Sequence, residues 1–145
     1  MVAKNPVRYV VGFLFSEDRQ RVVLIEKKRP ARQAGRLNGV GGHVEEGETP
    51  MMAMVREFEE EAGLSIPRWE HFAVLTDAMQ ARFHVDFFRA FGDVRYAYAV
   101  TDELIQVEAV NQLPPAVLPN LRWLIPMALS VDADACKLFH IEEMP

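Results

Sequence analysis

Gly42-His-Val-Glu-Glu-Gly-Glu48, then seven residues, then Arg56-Glu-Phe-Glu-Glu-Glu-Ala-Gly-Leu64 is the stretch on which the fold turns. Thr49 and Pro50 start a helix there, an N-cap hydroxyl followed by a proline whose missing N–H costs nothing at the first helical position. Gly63 supplies a left-handed C-terminal residue, and Pro67 prevents the helix from resuming. The spacing predicts a helix over about 50–62, with Met51, Val55, Phe58 and Ala62 as one apolar stripe facing a core. At about 100° per residue, Glu57, Glu60 and Glu61 share a different arc. Ala53 sits in the middle of that arc and leaves room beside the carboxylates, while Glu59 points to solvent.

Three carboxylates within two turns repel one another, at a few tenths of a kcal/mol per close pair. Most acidic helix faces are simply solvated. Solvation, however, accounts for neither the glycine loop nor Arg56 in register with the helix. Hard oxygen ligands of this kind suit Mg²⁺, which keeps waters and is completed by substrate phosphates. Upstream, Leu37-Asn-Gly-Val-Gly-Gly42 carries glycines that let a backbone carbonyl or amide approach a phosphate or a metal. It is neither a dinucleotide fingerprint nor a P-loop, since no GK[ST] follows.

The whole pattern, G-x5-E-x7-R-E-φ-x-E-E-x-G-φ with φ apolar, resembles the Nudix box of hydrolases that cleave nucleoside diphosphates linked to another group. Every charged and glycine position is filled; the one departure is Phe58, where the family more often has an aliphatic residue. The resemblance implies an α/β/α sandwich around a mixed β-sheet, with the Gly42 carbonyl joining Glu57, Glu60 and Glu61 as metal ligands. It extends to Val22–Arg29, to Arg36–Glu45 and to Thr101-Asp-Glu103, all similar to the oxidised-dGTP (8-oxo-dGTP) diphosphatase branch. In that branch a late acidic residue joins the metal site, and Glu103 matches it. Asn120 and Asn38 match purine-contacting residues; read alone, Asn120 is equally a helix cap and Asn38 a turn residue. Branches acting on ADP-ribose or dinucleoside polyphosphates tend to carry a proline or a tyrosine where this chain reads Met79-Gln80-Ala81.

At 145 residues the chain is long enough for one domain, 1–145, with a full core. A net charge of −5 argues against a nucleic-acid polymer as ligand. No apolar run reaches the roughly 20 residues of a membrane span. Basic residues gather at Lys27, Lys28, Arg29, Arg32 and Arg36, either as a solvated loop or as phosphate contacts, Lys27 foremost. Cys136 is the only cysteine, which excludes an internal disulfide and fits a reducing, cytoplasmic setting.

Val7–Phe15 and Arg21–Lys27 read as a hairpin, Leu37–Val44 as short extended pieces, and Glu70–Thr76 with Arg82–Phe91 as a second strand pair. His84 and Asp86 fall on the polar alternation of the last strand, which suggests a solvent-facing or edge face. Leu104–Val110 is a further strand and Leu121–Leu129 a helix that Pro126 should kink or shorten. A last strand is expected over Lys137–Ile141, and Asp132 and Asp134 read as turn residues. Strands with helices on both sides suggest an α/β sandwich.

The expected activity is therefore Mg²⁺-dependent hydrolysis (Mn²⁺ substituting) of a small nucleoside triphosphate, an oxidised purine deoxynucleotide among the candidates, to monophosphate and pyrophosphate. Glu57 or Glu103 accepts the proton from water, and Arg56 pairs with Glu48 to orient the site. Two rival readings stand beside it: another nucleoside diphosphate derivative, such as ADP-ribose or a nucleotide sugar, or a non-catalytic nucleotide-binding regulatory domain.

Overall fold

The computed structural model describes residues 5–78, 82–130 and 138–144. In chain order the elements are β1 (Val7–Ser16), β2 (Arg21–Glu26), β3 (Leu37–Asn38), β4 (Val40–His43), α1 (Pro50–Ala62), β5 (Glu70–Asp77), β6 (Phe83–Gly92), β7 (Ile105–Ala109), α2 (Leu121–Ser130) and β8 (Phe139–Glu143). The strands form one sheet in the order β3-β2-β1-β6-β5-β8, with β4 also on β1 and β7 also on β2. The β1–β6 and β5–β8 pairs are parallel and the others antiparallel, so the sheet is mixed. Two helices and this sheet make the expected α/β sandwich. None of the described helices is long and apolar enough to cross a membrane.

β1 shows why the sheet has a core on each side. Val10 and Leu14 pack with Met54 and Phe58 of α1, while Phe13 and Phe15 pack with Leu121, Leu124 and Ile125 of α2. A strand buried on both faces reads as a nearly continuous apolar run, and residues 10–15 do. β1 also divides its outer edge. Phe15 pairs with Val22 of β2, whereas Tyr9 to Gly12 pair with His43 to Val40 of β4. β2 splays away from β1 below the hairpin, and the glycine-rich β4 enters the gap under α1. There a Cβ on Gly41 would overlap the Val10 carbonyl, so only glycine lets the two backbones lie this close.

Three expectations need correction. The buried face of α1 is Ala53, Met54, Phe58 and Ala62, not a stripe beginning at Met51, which is 38% exposed. Gly12, with no Cβ, leaves the space that Met54 fills against Trp69, and this sets the rotation of the helix. As a result Ala53 belongs to the core, and Glu57 and Glu61 lie within the inward arc rather than beside it. Second, Asp86 is only 2% exposed. Asp86 lies beneath its partners, His71 (2.9 Å), His84 (3.2 Å) and Arg8 (3.3 Å), which are themselves partly exposed and cover its carboxylate. Third, α2 runs through Pro126 to Ser130. Pro126 and Arg122 are exposed, so water can take the carbonyl that the proline leaves without a helical partner.

β8 begins at Phe139, and its parallel pairing to β5 carries the sheet past the second hairpin. Met79, Gln80, Ala81, Asp132, Asp134, Cys136 and Lys137 lie outside the described residues.

Candidate functional site

Helix α1 starts and stops as its ends dictate. Thr49 accepts from the Met52 N–H at 3.2 Å, Pro50 opens the first turn, and Gly63 closes the helix at φ 73°. At the middle of the helix, Arg56 gathers the acids of the motif into a single ion-pair network. Its Nε and Nη2 grip Glu48 at 2.7 and 2.8 Å, a bidentate arrangement. Its Nη1 donates to Glu57 at 2.8 Å and to Glu60 at 3.1 Å, and Nη2 also donates to the His43 carbonyl at 3.0 Å. Held in this way by Arg56, and by the Glu45 N–H, the Glu48 carboxyl drops to about 2. Arg56 thereby ties the loop 43–48 to the helix.

Glu57 and Glu61 turn inward, and they differ in how they are compensated. The Glu57 carboxylate lies flat against Gly42, where an added Cβ would come within 2.5 Å of its carboxyl carbon. Burial raises its pKa, the Arg56 hydrogen bond and charge oppose that, and Glu60 and Glu48 add to the rise. Glu61 has no such arginine. Burial and then the Glu57 charge push its carboxyl up to about 7, against the pull of Lys27 and the Gly41 N–H, with Glu103 adding to the rise. One of its oxygens, Oε2, is buried without a hydrogen-bond partner. Glu60 stays on the outer side of the network.

Glu103 reaches this place through the segment 97–104. Tyr98 N–H donates to the Ala62 carbonyl at 3.0 Å and Val100 N–H to the Glu61 carbonyl at 3.3 Å, satisfying the end of α1 and docking the segment on it. Tyr98 also lies over Gly63, where a Cβ would overlap its ring. Glu103 is 4% exposed. Its Oε2 accepts from the Lys28 N–H at 2.7 Å and its Oε1 pairs with Lys27 Nζ at 3.4 Å, while Arg29 binds Asp102 at 2.7 Å. The basic run therefore contacts this acidic loop, a pairing that sequence reading missed because it assigned those charges to phosphate or solvent. Lys28, Arg32 and Arg36 remain exposed.

Among the described residues, no group of three or more His, Cys, Asp or Glu side chains is gathered as it stands to hold a metal ion. Arg56 pairs with Glu57 and Glu60, and Lys27 with Glu103. The donors nevertheless fit a hard divalent cation. All are oxygens, one is a buried orphan on Glu61, and the absence of a Cβ at Gly42 leaves a cradle that opens onto Glu57. Glu57, Glu60, Glu61, Glu103 and the Gly42 carbonyl are the groups that could hold it.

At the other end, the segment 116–118 is stitched to β3. Leu37 N–H donates to the Ala116 carbonyl at 3.0 Å and Leu118 N–H to the Leu37 carbonyl at 2.9 Å. This brings Asn38 and Asn120 to the same region. Asn38 Oδ1 accepts from the Gly39 N–H at 2.8 Å. The Asn120 backbone carbonyl accepts the Leu124 N–H at 2.9 Å, as an N-cap residue does, but its side-chain Oδ1 is buried with no partner. The side chain is therefore not the cap.

Residues 6–139 match the NUDIX domain. No curated protein sequence matches the chain. Among solved structures, it is similar to the MutT NUDIX hydrolase of Burkholderia pseudomallei at 23% identity and TM-score 0.71, over 86% of this chain and 98% of that one. MutT from Aliivibrio salmonicida and Vibrio cholerae aligns at 21% identity and TM-score 0.66, over 86% and 98%. The NUDIX domain of Shewanella oneidensis NrtR, complexed with ADP ribose, aligns at 20% and 0.69, over 87% and 88%.

Proposed function

The chain belongs to the NUDIX family, and we propose that it is a Mg²⁺-dependent nucleoside triphosphate diphosphatase releasing nucleoside monophosphate and pyrophosphate. One observation carries the reading. Glu61 keeps a buried carboxylate oxygen without a partner beside Glu57 and Glu103, an arrangement costly to the fold alone. Such a cost is retained where a ligand offsets it. Glu57, Glu60, Glu61, Glu103 and the Gly42 carbonyl hold the cation. When bound, Mg²⁺ neutralises polyphosphate charge and lowers the pKa of water.

The chain's own groups do the rest. Arg56 orients Glu57 and, through Glu48 and the His43 carbonyl, fixes the loop that presents Gly42. Glu57 or Glu103 accepts the proton of the attacking water; both are carboxylates at the site, and each is anchored by a single strong hydrogen bond. Lys27 lies where it can meet a phosphate. At the base end, Asn120 Oδ1 supplies an acceptor and the Asn38 amide a donor, a pairing that suits a purine edge, an oxidised one included. The unit so described is a single domain, residues 1–145, acting on a small nucleotide in the cytoplasm rather than on a nucleic-acid polymer or at a membrane.

A second reading takes a diphosphate-linked nucleoside as substrate. Its support is the ADP ribose in the Shewanella domain of similar fold. A nucleotide sensor without turnover has no use for the full carboxylate set. The deciding experiment offers purine and pyrimidine nucleoside triphosphates, 8-oxo-dGTP, ADP-ribose and a nucleotide sugar with Mg²⁺, and separates pyrophosphate from orthophosphate. Pyrophosphate from a purine triphosphate is expected. Turnover of ADP-ribose alone would transfer the assignment to the second reading.

A further inference from the structure

Two cations compensate the acids of the site. Arg56 serves Glu48, Glu57 and Glu60. Lys27 serves the other half: its Nζ lies 3.4 Å from Glu103 Oε1, and its charge reaches Glu61 as well. The two oxygens of Glu103 are held very differently. Oε2 accepts a backbone N–H, from Lys28, at 2.7 Å, which fixes the carboxylate in place. Oε1 has only a long contact, 3.4 Å, to the Lys27 ammonium, a point charge at the end of a four-carbon stem rather than a geometric fork. Lys27 is the partly buried member of the basic run 27–36, set beside the acids, while Lys28, Arg32 and Arg36 are exposed.

We propose that Lys27 is an exchangeable counter-ion of Glu103, whose ammonium transfers to the substrate phosphates and thereby frees Oε1 for a divalent cation. The proposal rests on the metal reading above. In the resting protein Lys27 and a cation compete for one oxygen. With polyphosphate present, Lys27 has a better anion and the competition ends. Binding of polyphosphate and of the cation at Glu103 then favour each other reciprocally, as any coupled pair of sites must. Lys27 is on this account a positioning residue, acting through Glu103 and not on the scissile bond.

The test is Mn²⁺ binding to the full chain without nucleotide, by calorimetry and by the spin-resonance signal of free Mn²⁺. It compares wild type, Lys27→Met, Lys27→Arg, Glu103→Gln and the double variant Lys27→Met with Glu103→Gln, the last read against Glu103→Gln alone. Lys27→Met should tighten Mn²⁺ binding roughly tenfold, within the usual range of coupling between sites. That gain should vanish in the double variant. Lys27→Arg, whose planar fork grips a carboxylate at two points, should weaken binding. Unchanged or weaker binding by Lys27→Met, or a gain that survives Glu103→Gln, overturns the proposal. Should Lys27→Met not fold, Lys27→Arg decides, and binding equal to or tighter than wild type overturns it. Absence of Mn²⁺ binding in the wild type would overturn the metal reading, and this inference with it.

Discussion

Replacing Glu61 by glutamine should stabilise the protein when metal is withheld and remove the stabilisation that metal confers. The carboxyl is pushed from its ordinary 4.5 to about 7, chiefly by burial and by Glu57. A raised value means that the folded chain holds the proton more tightly than the unfolded one. Glu61 thus favours folding fully below pH 4.5, and that contribution is lost as the pH rises through about 7. At pH 8 the wild type carries a buried charge that Glu61→Gln does not. A shift of this size corresponds to about 3 kcal/mol at full strength. Water reaches part of the side chain, which reduces the figure to roughly 1–2 kcal/mol. For a chain of this length that is about 3–8 °C in melting temperature. The near-isosteric amide keeps an acceptor for the Gly41 N–H and places a donor toward Glu57 and Glu103. The assay is thermal unfolding in EDTA at pH 5.5 and pH 8, repeated with Mg²⁺. The variant should melt above wild type at pH 8 and by less than half as much at pH 5.5, which lies one unit into the window from 4.5 to about 7. With Mg²⁺ at about a hundred times its dissociation constant the wild type should gain about 2.7 kcal/mol and the variant little. A variant less stable than wild type at pH 8 in EDTA, or equal gains from Mg²⁺ in both proteins, would refute the reasoning.

Gly42→Ala forces its Cβ into the Glu57 carboxyl, so metal affinity should fall at least tenfold on the scale of a displaced ligand shell while circular dichroism stays native; unchanged Mn²⁺ titration would speak against the cradle. Arg56→Lys loses the two-point grip on Glu48, and steady-state kinetics should show roughly a 10–100-fold drop in kcat that the retained charge does not rescue; wild-type kcat would reduce Arg56 to a surface charge. Asp86→Ala removes the acceptor shared by His71, His84 and Arg8, and denaturant unfolding at pH 7 should show a loss of roughly 1–3 kcal/mol. Burial raises the Asp86 pKa, but the hydrogen bonds and charges of His71 and His84 outweigh it and lower it overall. The stability Asp86 contributes is therefore present above its ordinary value of 3.8 and lost only as the pH falls below that; a loss centred near neutral pH would contradict this. Asn120→Ala should blunt discrimination among bases in competition assays with metal dependence intact, and unchanged preference would end its role at the base.

The helix of the motif could be read from residues because its signals are local. Thr49-Pro50 and Gly63 act within one turn of where they stand, and the spacing of Glu57, Glu60 and Glu61 is a property of the helix itself. Its rotation was not legible, since Met51 through Val55 is apolar almost throughout and carries no phase. That was decided by Gly12 and Trp69, one a strand residue and the other beyond the helix. Asp86 misled for a related reason. Its alternation describes two faces of a strand and not what covers them: Asp86 is covered by His71, His84 and Arg8, the last 78 residues away in sequence. The pairing of Lys27 with Glu103 spans a sequence separation of 76. A basic run states that charge must be compensated, and not by which acid. The Asn120 side chain was the reverse case: a helix cap and a base contact both suit an asparagine there, and its unpartnered oxygen speaks only against the side-chain cap.

The most direct test of the acidic cluster is the dependence of hydrolysis on divalent metal in wild type, Glu60→Gln and Glu61→Gln, with released pyrophosphate as the readout. Hydrolysis should require Mg²⁺ or Mn²⁺, cease in EDTA, and be mostly lost in both folded variants. Full turnover in EDTA, or wild-type rates in both variants, would contradict the account.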